Sequence, residues 1–286
     1  MRPATPKELA LACQEVGVSR VQVHLDPIRL ASQDPDSPWN IVDTVRALAR
    51  AGITICSGMM TMEGEDYSTL DSIRRTGGVL PDEHWDVNRQ AAVENARIAR
   101  RLGLSLVTLH AGFIPEGADD PQRRVVLDRI REIAAIFALQ NVAVGLETGQ
   151  ETADTLLVAL EELNCQARDF RVGVNFDPAN MILYGMGDPV AALRQLAPYV
   201  VQIHLKDALP NETPGTWGRE VVVGEGAVDW PAFLEVLRPF DRSLDLVLER
   251  EAGETRIADL RSGHQAIAPL VAAVNIGAAL PPPATP

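Results

Sequence analysis

Cysteine is scarce in this chain. Cys13, Cys56 and Cys165 are odd in number, far apart and free of any CxxC pairing. They argue against a disulfide framework and read as reduced, buried thiols of a cytoplasmic protein. Positive charge is short as well: 26 Lys and Arg stand against 39 Asp and Glu, a formal net charge of −13. A surface that grips phosphate backbones carries clustered Lys and Arg, so nucleic acid is not the expected partner. The acidity reads as a device for solubility, and it leaves room for a locally basic pocket. No apolar run approaches the roughly 20 residues needed to cross a bilayer. No charged start followed by an apolar core marks a signal peptide, so neither membrane nor export is expected.

What the chain does have is a long alternation of strand and helix patterns. With 286 residues, 46% of them hydrophobic and 23% charged, it is long enough to bury the core of one α/β barrel. Thr5-Pro6-Lys7-Glu8 starts a helix that ends at Gly17. Strands are expected at residues 21–25, 53–57, 104–110, 142–147, 172–177, 200–205 and 246–249. Helices are expected at 40–51, 86–102, 121–140, 152–164, 188–196, 230–237 and about 254–273. The strands are near-continuous apolar runs, the pattern of a parallel sheet covered by helices. We therefore expect a (β/α)8 TIM barrel in one domain spanning residues 1–276, with a disordered tail at 277–286. Seven strands are evident where the fold takes eight. The first is absent or atypical, or the short extended piece near Glu220 serves in its place. Residues 58–83 show no clean period and read as an excursion over the barrel mouth.

The informative residues lie where apolar runs stop. VAVGLET places Glu147 at such an end, VGVNFDPAN places Asp177, VVQIHLKD places His204, LDLVLERE places Glu249 and LSLVTLHAG places His110. In a parallel barrel all C-terminal strand ends point to one face, where chemistry sits. Three carboxylates and an imidazole on four strands suit one hard or borderline divalent cation.

These residues sit in TLHAG (Thr108–Gly112), GLET (Gly145–Thr148), FDPAN (Phe176–Asn180), HLKD (His204–Asp207), VGEG (Val223–Gly226) and LVLERE (Leu246–Glu251). In their order and spacing the chain resembles the xylose isomerase-like TIM barrel superfamily from about Pro6 to Ala273. The resemblance implies that Glu147, Asp177, His204 and Glu249 are metal ligands, with Mn²⁺ the expected ion and Mg²⁺, Co²⁺ or Zn²⁺ the alternatives. It also implies that Glu147 and Glu249 are the acid/base pair of an isomerase or epimerase. A sugar carbonyl and its neighbouring hydroxyl chelate the cation, which stabilises an enediolate as the α-proton leaves. The superfamily barrel normally opens with a strand ahead of the first helix, and this chain departs from that. A homodimer follows by analogy alone.

Other residues keep two readings each. His110 binds substrate or a second metal, or is a hydrogen-bonded core histidine. Lys206 holds an oxyanion or pairs with Asp207. Asn180 contacts a sugar hydroxyl or caps a loop. His24 is a candidate for the pocket wall, and Trp217 with Arg219 for covering the substrate. Glu63, Asp66 and Tyr67 form a lid or are solvated loop residues, and Gly224-Glu225-Gly226 admits a ligand to the backbone or simply turns the chain. Three further functions compete. A dehydratase or lyase acting on a keto-polyol would use the same ligand set. An apurinic-site endonuclease would need histidines where Asn180 and residues 208–223 provide none. A non-catalytic sugar- or partner-binding barrel would bind no metal.

Overall fold

The computed structural model describes residues 3–274, apart from residues 33, 35, 166, 168, 169, 212, 214, 241 and 242. The expected tail disorder at 277–286 lies outside the described residues.

Along the chain come α1 (Pro6–Val16), β1 (Arg20–His24), α2 (Asp26–Leu30), α3 (Ile41–Arg50), β2 (Thr54–Met59), α4 (Leu70–Thr76), α5 (Asp82–Arg101) and β3 (Leu106–Leu109). They are followed by α6 (Pro121–Ala138), β4 (Ala143–Glu147), α7 (Ala153–Cys165), β5 (Val172–Phe176), α8 (Pro178–Tyr184), α9 (Pro189–Leu196) and β6 (Val200–Leu205). The last are β7 (Asp207–Leu209), β8 (Arg219–Val221), α10 (Trp230–Leu237), β9 (Asp245–Leu248) and α11 (Arg256–Val274). Local chemistry sets the helix starts. Thr5 Oγ1 accepts the Glu8 N–H at 3.2 Å, Asp120 caps α6, Asp188 caps α9 and Asp229 caps α10, with a proline in the first two helical positions of each.

The strands form one parallel sheet in the order β1-β2-β3-β4-β5-β6-β9, a nearly closed barrel of seven strands wrapped by helices. β5 is buried along its whole length, whereas β1 and β9 are largely half-exposed, because they are the two sheet edges. The piece near Glu220 does not supply an eighth barrel strand. It pairs antiparallel with Asp207–Leu209 as a separate ribbon. Among the described residues no strand precedes α1, so β1 and β9 face one another across a seam. Arg20 stitches that seam through two hydrogen bonds to Asp245, at 2.6 and 2.9 Å.

The ribbon and the irregular stretch after it are organised by Asp207. Its carboxylate accepts from the N–H groups of Ala208 (2.9 Å), Gly224 (2.9 Å), Gly226 (3.2 Å) and Val228 (3.2 Å), and from Trp230 Nε1 (2.9 Å). A Cβ on Gly226 would sit 1.9 Å from Asp207 Oδ1. The Gly224–Gly226 turn therefore approaches a carboxylate of its own chain, which favours the simple turn over the ligand loop. The excursion of residues 58–83 contains α4, which has no evident period in sequence, and the first turn of α5, which begins at Asp82 rather than Asp86. It is tied down at several points. Asp26 accepts from Thr61 N and Oγ1 at 3.0 and 2.9 Å, Asn88 Oδ1 accepts from Glu63 N at 2.7 Å, and Arg129 donates to the Val79 and Leu80 carbonyls.

Candidate metal centre

Four strand ends converge. Glu147 is the last residue of β4, Asp177 follows β5, His204 is next to last in β6, and Glu249 follows β9 with its N–H still bonded to the Leu205 carbonyl at 3.1 Å. One ligand-type atom from each lies within 4.8 Å of all the others. Asp177 and His204 are fully buried and Glu147 is nearly so.

The hydrogen bonding says which atoms are left over. Asp177 Oδ1 accepts the Asn180 N–H at 2.9 Å and so caps α8, while Oδ2 has no hydrogen-bond partner and lies 3.7 Å from Lys206 Nζ. His204 Nε2 lies between Gln22 Oε1, an acceptor at 2.8 Å, and Asn175 Nδ2, a donor at 3.0 Å; the shorter contact, to Gln22, places the ring proton on this nitrogen. Nδ1 is then the nitrogen whose lone pair a cation would take in the neutral ring, and it too is buried without a hydrogen-bond partner. It points at Glu147 Oε1 (3.4 Å), Asp177 Oδ2 (3.7 Å) and Glu249 Oε2 (3.3 Å). Buried polar atoms are normally satisfied. Two orphans facing each other amid two further carboxylates are what a divalent cation would satisfy, so the donor set fits one.

A tier of polar side chains behind the ligands holds them in place. Asn175 Nδ2 donates to Glu147 Oε2 at 3.1 Å, Asn180 Nδ2 donates to Glu147 Oε1 at 3.0 Å, and Gln202 Nε2 donates to Asn175 Oδ1 at 3.2 Å. Ser57 donates to Gln202 Oε1 at 2.6 Å, and Gln22 Nε2 donates to Thr108 Oγ1 at 2.9 Å. Sequence reasoning missed Gln22, Ser57, Asn175 and Gln202. The available signal was a polar residue at an inward position of an otherwise apolar strand, as in RVQVH, VGVNF and VVQIHL. Gly149, at φ 132, lets the loop after β4 lie against Asn180; a Cβ there would come 2.4 Å from the Asn180 Cβ.

Lys206 is buried and does not pair with Asp207. Its ammonium donates to Glu251 at 2.6 Å, Glu249 at 3.1 Å and Asn180 Oδ1 at 3.3 Å. Burial opposes ionisation of Glu249, but Lys206 and His204 outweigh it and hold that carboxyl well below the usual range. Burial also opposes a proton on His204, yet Glu249 and Glu147 outweigh it and push the imidazole well above its usual value. Burial lifts Asp177, and Lys206 offsets only part of that. Without a bound cation, imidazolium and ammonium thus carry the balancing charge, and a metal would displace the imidazole proton.

A cavity of about 1480 Å³ opens above the centre and runs down along the seam. His24, His110 and Asn180 line it, and His110 Nε2 lies 3.4 Å from Glu147 Oε1. Trp217 lines it, whereas Arg219 is exposed on β8 and is not in the lining. Of the lid candidates, Tyr67 lines the cavity. Glu63 and Asp66 do not, and Asp66 is spent on the Ser68 N–H and the Ser72 hydroxyl. Glu65 and Glu251, which the sequence did not single out, do line it.

Among known proteins, an uncharacterised Escherichia coli protein, YihM, is 30% identical over 175 residues, 60% of this chain. The chain spans about half the length of that curated relative, 52% of it. A solved xylose isomerase domain protein from Planctomyces limnophilus is 32% identical, with 92% of each chain covered and a TM-score of 0.81. More distant structures share the fold alone. One is a Mycobacterium smegmatis xylose isomerase-like TIM barrel protein in complex with magnesium (16% identity, 94% and 89% covered, TM-score 0.70). Another is the Escherichia coli 3-keto-D-glucoside 4-epimerase (15% identity, 93% and 95% covered, TM-score 0.68). The family model described as the xylose isomerase-like TIM barrel matches residues 10–270, the same span that carries the seven parallel strands and the four converging ends; the chain belongs to that family.

Proposed function

We propose that this protein is a divalent-metal-dependent sugar isomerase or epimerase that removes and returns a proton alpha to a carbonyl. The observation that carries the reading is the pair of orphaned, buried atoms Asp177 Oδ2 and His204 Nδ1, gathered with Glu147 and with Glu249, which lines the cavity. Mn²⁺ is the proposed ion. The magnesium held by the Mycobacterium smegmatis neighbour supports a hard divalent cation. A cation held there would supply Lewis-acid polarisation of a bound carbonyl.

The side chains do the rest. Glu147 and Glu249 enter from β4 and β9, which lie on either side of β5 and β6, so they flank anything held at the centre. Asn175 and Asn180 fix both oxygens of Glu147, and Lys206 orients Glu249. One carboxylate takes the proton and the other returns it on the opposite face, which is the geometry an epimerisation needs. His110, beside Glu147, is placed to hold a substrate oxygen. The free thiols Cys13, Cys56 and Cys165 suit a reducing cytoplasm.

The test combines metal analysis with proton exchange in deuterated water on a panel of ketoses, keto-inositols and 3-keto-glucosides. We expect one Mn²⁺ per chain, lost in Glu147→Gln. Exchange should fall by at least about 10³-fold in Glu249→Gln. Elimination of a β-hydroxyl after exchange would assign the same centre to a dehydratase. Absence of stoichiometric metal, or turnover with no exchange, would sink the proposal.

A further inference from the structure

The side chains above the centre differ in kind from those at the centre. Glu65, carried over the mouth by the loop before α4, is half-buried. Its Oε1 accepts the Gly78 N–H at 3.0 Å and its Oε2 accepts the Tyr67 hydroxyl at 3.2 Å. A carboxylate has about four acceptor positions, so Glu65 keeps capacity for further donors. Beside it stand three aromatic rings packed edge to face: Phe113 and Tyr184 with centroids 5.8 Å apart, Tyr184 and Trp217 with centroids 4.8 Å apart. Tyr184 and Trp217 line the cavity, and the buried Trp217 Nε1 donor has no acceptor among the described residues.

Two of the cations here are paired with carboxylates, and Arg74 lies over the Phe113 ring at 4.6 Å. Lys206 is held by Glu249 and Glu251, Arg20 is bonded to Asp245 on the seam, and Arg256 Nε donates to the Glu251 carbonyl at 2.6 Å. Glu251, at the rim, adds a second carboxylate to the lining.

We propose that this mouth selects an unphosphorylated polyol over a sugar phosphate. The inference rests on the functional reading above and narrows its substrate class. A neutral sugar offers hydroxyl donors to Glu65, a ring oxygen or hydroxyl acceptor to Trp217 Nε1, and C–H faces to Tyr184 and Trp217. A phosphate offers only acceptors. It brings negative charge toward Glu65 and Glu251 in a cavity where Lys206 and Arg20 are already paired with carboxylates. At the reduced dielectric of a pocket this repulsion is worth at least about tenfold in affinity.

The test uses the Mn²⁺-loaded protein and two matched pairs, D-fructose with D-fructose 6-phosphate and L-ribulose with L-ribulose 5-phosphate. Binding is read by tryptophan fluorescence, and α-proton exchange is followed in parallel. The neutral member of each pair should bind at least about tenfold tighter. Glu65→Gln and Glu251→Gln should each narrow that ratio at least threefold by improving ester binding, and Arg256→Ala should leave the ratio within twofold. Glu65→Gln keeps an acceptor for Gly78, and the exposed Glu251→Gln provides a second reading should the first variant lose its fold.

The proposal is overturned by an ester that binds as tightly as its neutral partner, by a ratio unmoved in both glutamine variants, by ester binding that depends on Arg256, or by failure of both neutral sugars to bind. Exchange on esters alone would retain the catalytic reading and remove this one. Selective binding of neutral sugars without exchange would do the reverse.

Discussion

Gln22 shows how much depends on single polar side chains in this barrel. Its Oε1 faces His204 Nε2 at 2.8 Å and its amide nitrogen reaches Thr108, so it helps to turn the other imidazole nitrogen toward the centre. Partners behind metal-bound histidines commonly contribute 10–100-fold in affinity. Gln22→Leu should therefore weaken Mn²⁺ binding by about 10- to 100-fold in calorimetric titration; an unchanged affinity would show that the ring is oriented by something else. Glu151 makes a different prediction. Burial lifts its carboxyl from 4.5 to about 8, with no compensating cation among the causes. The folded state then holds a proton that the unfolded chain releases between those two values. Stability from this group is complete below the lower value and is lost as pH rises through the upper one, on the order of 4 kcal/mol by pH 8. Glu151→Gln should remove most of that loss, so its Tm should fall far less than the parent's between pH 5 and pH 8.5. Parallel Tm curves for the two proteins would show that the carboxyl ionises freely when folded.

Among the elements, the stretch from β7 through β8 to α10 depends on one buried carboxylate. Asp207 gathers four backbone N–H groups and an indole N–H, and Gly226 is the point of closest approach. A methyl group placed there cannot fit without moving the carboxylate and releasing several buried donors at once. Gly226→Ala should cost about 2–4 kcal/mol in denaturant unfolding, with the emission of Trp230 changing as its Nε1 partner withdraws. A stability within about 0.5 kcal/mol of the parent would mean that the turn relaxes freely. The loop before α4 works in a comparable way: Asp26, Asn88 and Arg129 fix its ends, so that Glu65 and Tyr67 are presented over the mouth.

For the whole molecule, the consequential feature is the seam. β4 and β5 are paired on both sides, while β1 and β9 each carry a free edge among the described residues. Local opening follows missing contacts and exposed backbone groups. Hydrogen exchange should therefore reach the amides of β1 and β9 well before those of β4 and β5. Uniform protection around the barrel would mean that the seam is covered in solution. The Arg20–Asp245 pair across it is partly exposed, and Arg20→Ala should cost no more than about 1 kcal/mol.

The apolar runs and their terminal Glu147, Asp177, His204 and Glu249 were legible in sequence, because in a parallel barrel chain order dictates which ends share a face. Seven strands, the capped starts of the helices and the four-residue centre all follow from that local grammar. The rest needed tertiary structure. Glu220 lies in an extended piece, but only long-range pairing shows that it joins Asp207–Leu209 rather than the barrel. Lys206 and Asp207 are neighbours in sequence, yet strand geometry sends them in opposite directions, one to the carboxylates of the centre and the other to the backbone of a turn. Gln22 and Gln202 look like ordinary polar residues in apolar strands until closure of the barrel brings side chains more than a hundred residues apart into hydrogen-bonding distance. What a residue is follows from its local chemistry; whom it meets across the barrel follows only from the closed sheet, because those partners have no fixed spacing along the chain.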